Sequence, residues 1–249
     1  MSSVTPRALG MGYEDVSFKT TDGLTLSGWY IPSQKTTNRT VILLHGYPAD
    51  KGNILPALSF LHEDFNLLLF DFRYLGESEG NYSTAGAREV LDLAAAIRFL
   101  KSRGVKEVGV WGFSMGGAVA LMSLKEAPEI KAVVSESSYA SLAQMALRLF
   151  RIPVLDYPLG FMVGVWAKLF LGIDLREVSP AQAVRGANIP LLLIHSSSDA
   201  VIPFAHAESL KKALAGNPRA HFWFRDGFAH GQLGLEYQTR VKTFFLKNL

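Results

Sequence analysis

The chain has 249 residues, enough to bury one substantial core, and its balance of 49% hydrophobic to 19% charged residues is that of a packed globular enzyme, not of a disordered or filamentous chain. Lys and Arg exceed Asp and Glu by only 25 to 22, and the net +3 is spread without a basic run, so nucleic acid has no electrostatic footprint. With no cysteine at all, disulfides and thiolate chemistry are excluded.

The six histidines are scattered and share no metal-ligand spacing with Asp or Glu, so neither a metal nor another cofactor is expected. Met1 to Asp15 lacks the basic start and apolar run of a signal peptide. The longest uncharged apolar stretch, Tyr157 to Ala167, is too short for a bilayer span, which takes roughly twenty residues. The expectation is a soluble, cytoplasmic protein.

In chain order, Val16 to Thr20 and Leu24 to Ile31 form a hairpin around the turn dipeptide Asp22-Gly23. Thr40 to Leu44 is a continuous apolar run of the kind buried on both faces of a parallel sheet. The same run recurs at Leu67 to Phe70, Val105 to Trp111, Ile130 to Ser135, Leu191 to Ile194 and His221 to Phe224. Helical spacing fills the intervals: Ala85 to Arg103, Ser114 to Lys125, Phe204 to Ala215 and Leu235 to Leu246. Strands alternating with helices predict an α/β fold, a mostly parallel sheet covered on both faces, with the opening hairpin as an antiparallel edge. Between Tyr139 and Ser179 the rhythm stops: the segment is rich in Leu, Phe, Met and Trp, and Pro153 and Pro158 divide it. We expect two or three short helices folding over the sheet as a cap inserted in a single domain of residues 1–249.

The chemistry concentrates where Val105 to Trp111 runs into Gly112-Phe113-Ser114-Met115-Gly116-Gly117 and then a helix. A serine on so sharp a strand-to-helix turn exposes its Oγ above the sheet, and glycines are needed where the neighbouring backbone comes close. The following helix adds free N–H groups and the positive end of its dipole. Ser114 is therefore the candidate nucleophile. A serine that merely caps the helix is the alternative.

With that elbow in place, the sequence resembles the α/β-hydrolase superfamily over almost its whole length. Further matching motifs are His45-Gly46-Tyr47, Asp71-Phe72-Arg73-Tyr74-Leu75-Gly76-Glu77-Ser78, His195-Ser-Ser-Ser-Asp199 and Gly227-Phe228-Ala229-His230-Gly231. Within the superfamily the chain looks most like the BEM46-like or ABHD13/ABHD17-like group. The resemblance implies that Ser114 attacks a carbonyl carbon, that His230 moves its proton and that Asp199 orients His230, in the chain order Ser, Asp, His of this fold. It implies an oxyanion hole from the backbone N–H groups of Tyr47 and Met115, with His45 supporting the loop. Glu136 follows the next strand and is a rival acid. Asp199 is preferred because its whole local string matches, which leaves Glu136 as a loop or cap-anchoring residue. Asp71 and Arg73 suggest an acid–base pair, yet they match a structural turn of the family, where Arg73 braces a loop. His195, followed by Ser196 where relatives commonly have glycine, reads as structural.

A serine nucleophile without metal or cofactor motifs suits hydrolysis through an acyl-enzyme. The apolar residues Phe150, Leu155, Phe161, Met162, Trp166 and Phe170 suggest a lipophilic acyl or alcohol pocket. The expected substrate is thus a small ester with an apolar acyl or alcohol group, and carboxylesterase is the first reading. Monoacylglycerol lipase and acyl-protein thioesterase are its near variants. An aminopeptidase or amidase of the prolyl-oligopeptidase-like type is the rival, and a non-catalytic binding protein on the same fold would show a broken set of these residues. Arg148, Arg151 and Lys168 among the apolar residues further suggest weak contact of the cap with a membrane surface.

Overall fold

A computed structural model describes residues 2–147 and 156–249. Eight strands form one sheet: β1 (Glu14–Lys19), β2 (Thr25–Ile31), β3 (Thr40–Leu44), β4 (Asn66–Phe70), β5 (Val108–Phe113), β6 (Ile130–Glu136), β7 (Leu191–Ser196) and β8 (Ala220–Arg225). Their order is β1-β2-β4-β3-β5-β6-β7-β8. The β1–β2 and β2–β4 pairings are antiparallel and all the others parallel. The hairpin therefore supplies the antiparallel edge, and the apolar runs form the buried parallel centre.

All five residues of β3 are buried, because helices cover both faces. Alternation along the strands divides the core in two. Ile42, Leu44, Leu68, Val110 and Val133 pack under Leu93, Ile97 and Leu100 of α2 (Glu89–Ser102) and Val119 of α3 (Met115–Met122). Val41, Leu43, Leu67, Leu69 and Val134 pack under Ile54, Leu55 and Leu58 of α1 (Lys51–Leu58) and under Val241 and Phe245 at the chain's end.

Two boundaries depart from the periodicity. The helix expected from Ala85 begins at Glu89: Ala85 sits at φ 51°, and the Glu89 carboxylate accepts from the N–H groups of Thr84 and Gly86, both at 2.8 Å. That makes a turn where the pattern suggests a helix. Helix α1 is absent from the hydrophobic pattern because Gly52 and Pro56 interrupt it. A reciprocal cap starts it: Asp50 Oδ1 accepts from Gly52 and Asn53 N–H, and Asn53 Oδ1 accepts from Asp50 N–H.

The insertion carries α4 (Leu142–Ala146) and α5 (Asp156–Trp166), which continues into a π-helical turn, Ala167–Leu171. Ile173 and Val178 fasten it over Ala118, Tyr139 and Ile202. The short α6 (Pro180–Ala183) leads back to β7, followed by α7 (Ala205–Ala213) and α8 (Tyr237–Asn248). No helix among the described residues is long and apolar enough to cross a membrane.

Candidate active site

Parallel strands deliver their loops to one end of the sheet, where ligands of such folds bind. β5 ends at Phe113 and α3 starts at Met115, leaving Ser114 alone to reverse the chain at φ 53°, ψ −114°, a conformation that costs energy for any residue with a side chain. Its neighbours explain how the turn closes. A Cβ on Gly112 would lie 2.4 Å from the Gly116 carbonyl oxygen, and one on Gly116 would lie 2.5 Å from that of Leu44. Ser114 N–H donates to the Glu136 carbonyl at 2.8 Å, and Ala118 N–H donates to the Ser114 carbonyl at 3.1 Å. The serine is thus held by β6 on one side and α3 on the other, without acting through its side chain as a helix cap.

Asp199 follows β7, and His230 lies in the loop after β8. His230 Nδ1 and Asp199 Oδ2 are 2.7 Å apart. The other carboxylate oxygen, Oδ1, accepts from Val201 and Ile202 N–H, each at 2.8 Å. Burial opposes the charge of Asp199, but the His230 bond and these donors outweigh it, so its carboxyl is held below the ordinary aspartate range. An acceptor-only carboxylate obliges Nδ1 to carry the proton, which leaves the Nε2 lone pair available. The Phe113 ring, one residue before Ser114, packs against the His230 imidazole with centroids 4.7 Å apart. That contact brings the elbow and the histidine loop to the same place.

The loop after β3 completes this end. A Cβ on Gly46 would lie 3.2 Å from Ser114 Cβ, so the backbone at Gly46-Tyr47 passes directly over the serine, while the Tyr47 side chain is exposed. Met115 is buried at the first turn of α3. His45 supports this loop through both ring nitrogens: Nδ1 is 2.7 Å from the Gly46 carbonyl oxygen, and Nε2 accepts from Phe72 N–H at 3.0 Å. His195 Nε2 bonds the Ile202 carbonyl at 2.9 Å and so shapes the loop of Asp199.

Asp71 and Arg73 do not pair with each other. Asp71 takes Lys51 Nζ at 2.6 Å, whereas Arg73 forks onto Asp92 and reaches Asp22, each at 2.7 Å. Burial lifts the Asp92 carboxyl to about 6 against the pull of Arg73. Arg73 is thus a brace, joining the turn after β4 to α2 and the β1–β2 turn.

Glu136 is neither a loop residue nor a cap anchor. It is the last residue of β6 and fully buried, and its carboxylate points to the opposite side: Tyr237 of α8 donates to it at 2.5 Å and Arg225 of β8 at 3.3 Å. The apolar periodicity of α8 marks Tyr237 as core, and a buried phenol needs a polar partner. That requirement is the one sequence signal that points toward this cluster. Of the cap residues expected to line a pocket, Phe161, Met162, Trp166 and Phe170 all lie on an open face, Phe161 70% and Trp166 58% exposed. Trp166 and Phe170 stack with centroids 4.5 Å apart. Phe150 and Leu155 lie outside the described residues.

Comparison with known proteins agrees with this architecture. A family model described as the alpha/beta hydrolase fold matches residues 39–168. The chain is 33% identical over 225 residues to the uncharacterized protein YfhR of Escherichia coli O157:H7, covering 86% of this chain and 72% of that protein. Protein bem46 of Schizosaccharomyces pombe is 25% identical over 213 residues, 80% of this chain and 64% of its own length. Among solved structures, the Pyrococcus furiosus esterase Pf2001 superposes with a TM-score of 0.82 at 29% identity, covering 100% of this chain and 97% of that one. With the elbow, the sheet order and the family match all in agreement, the chain belongs to the α/β-hydrolase fold family.

Proposed function

We propose that the protein is a serine carboxylesterase that hydrolyses small lipophilic esters through an acyl-enzyme. The observation that carries this reading is the strained Ser114 turn at the same sheet end as a 2.7 Å His230–Asp199 pair. His230 Nε2 takes the proton as Ser114 Oγ attacks the carbonyl carbon, and the charge appearing on the carbonyl oxygen falls to the N–H groups of Met115 and Tyr47. Collapse breaks the ester C–O bond, and the alcohol leaves with the proton from His230. Water then repeats the sequence on the acyl-enzyme and releases the acid. The likeness to the esterase Pf2001 supports an ester over an amide.

A fluorophosphonate probe tests the nucleophile: stoichiometric labelling of the wild type and none of Ser114→Ala is the expected result. Labelling at another residue, or none on folded wild type, would refute it. Rates on p-nitrophenyl esters of increasing chain length, set against aminoacyl amides, then separate esterase from peptidase.

The cap supports a second, compatible reading. Tyr157, Phe161, Met162, Trp166, Leu169 and Phe170 leave an apolar face uncovered; of the cap cations, Lys168 is exposed and pairs with Asp174 at 3.5 Å, while Arg148 and Arg151 lie outside the described residues. Such a face suits transient contact with a lipid surface that holds apolar esters. Flotation with anionic vesicles should enrich the protein, and no enrichment would remove this reading.

A further inference from the structure

Three side chains with no part in the hydrolysis just described converge beneath the loop of His230. Glu136 gives its carbonyl to Ser114 N–H, but its carboxylate faces away from the serine, toward β8 and α8. One carboxylate oxygen takes the Tyr237 hydroxyl and the other takes Arg225 Nη2. The Tyr237 oxygen in turn accepts from Trp111 Nε1 at 2.8 Å. The Arg225 guanidinium lies 4.6 Å from the centroid of Phe228, two residues before His230. Tyr237 N–H donates to the Gly234 carbonyl at 3.1 Å. The two partners of one carboxylate therefore hold both ends of the segment that carries His230.

Burying a carboxylate is expensive, and a neutral side chain could fill this volume at lower cost. What a carboxylate adds is charge. Arg225 is buried, and its Nε and Nη1 find no hydrogen-bond partner among the described residues, which leaves Glu136 as its counter-charge there. We propose that Glu136 is a positioning residue for His230: it clamps the histidine loop through Arg225 and Tyr237, and it cancels the Arg225 charge that would otherwise oppose the imidazolium formed when Ser114 attacks.

This inference rests on His230 serving as the base for Ser114. The charged and titratable groups facing Glu136 are Tyr237 from α8, Arg225 from β8 and His230 from the loop, with Asp199 bonded to His230 in turn. Burial pushes the Glu136 carboxyl up to about 7 against the pull of Tyr237, Arg225 and His230. Its charge therefore changes near neutrality, and losing it exposes His230 to an uncompensated Arg225.

The test is the pH dependence of the fluorophosphonate labelling rate at Ser114, and of kcat/KM on a p-nitrophenyl ester. It compares wild type, Glu136→Gln and Tyr237→Phe. The wild-type acid limb should fall with more than one proton. In Glu136→Gln it should become a one-proton limb displaced by about one unit to lower pH, with a plateau about tenfold lower. Tyr237→Phe keeps the charge but removes a donor that favours it, so its limb should move to higher pH. A merely structural role would lower the rates at every pH and leave the limb in place; identical limbs in all three proteins would overturn the proposal. If Glu136→Gln does not fold, the displacement in Tyr237→Phe decides alone. Failure of folded wild type to label defeats the Ser114 reading instead, and the two failures are distinguishable.

Discussion

The elbow end of the sheet and the outer face of the cap solve opposite problems. At the elbow, Ser114, Asp199, His45 and Glu136 are all buried, and backbone contacts near 2.5 Å of a missing Cβ leave no room for other residues. On the cap, large apolar side chains from Tyr157 to Phe170 stand mostly in the open. Reaction geometry tolerates little displacement, so it is built on strand ends fixed by the core. Contact with an apolar surface needs only accessible hydrophobic area, which a peripheral insertion can supply and vary. On this molecule, reaction rate and surface contact are therefore expected to respond to different regions.

The sharpest way to break that division is through the two buried carboxylates near His230. Asp199→Asn should lower turnover about a thousandfold or more, as removal of an orienting carboxylate does, against about tenfold for Glu136→Gln. Equal losses would mean that Asp199 is not the principal acid. Next in size is Gly116→Ala. Its added Cβ meets backbone that cannot yield, at 2.5 Å from Leu44 O, and should cost about 3 kcal/mol in unfolding free energy, read from denaturant titration. A variant as stable as wild type would show that the elbow is less tightly packed than described. The smallest effect is expected at the cap. Trp166→Ser with Phe170→Ser removes a stacked, exposed ring pair. It should leave the rate on soluble acetyl esters unchanged while cutting enrichment on anionic vesicles about tenfold, the scale of losing part of one ring's burial. An equal loss of acetyl-ester rate would tie the cap to the chemistry itself.

Much of the scaffold was legible because its signals are local. Continuous apolar runs marked the buried strands, and Gly112 and Gly116 around Ser114 marked the turn. Helix α1 was not legible: its start depends on the reciprocal bonds of Asp50 and Asn53, and Pro56 interrupts its pattern. The expected helix start at Ala85 failed for a similar reason, since the Glu89 carboxylate stabilises a turn there. The candidate site divides the same way. Ser114, Asp199 and His230 each sit in a recognisable string, whereas the use of Glu136 depends on Tyr237, 101 residues away.

The order of apolar runs and turn residues by itself determined a mostly parallel sheet with a serine elbow, because periodicity and backbone sterics act over a few residues. Tertiary structure alone decided that Asp71 binds Lys51 and Arg73 binds Asp92. It also decided that Glu136 turns toward α8 and that the cap aromatics face outward. Those outcomes depend on which charges and surfaces the closed sheet brings within a few ångströms, and no local pattern carries that information.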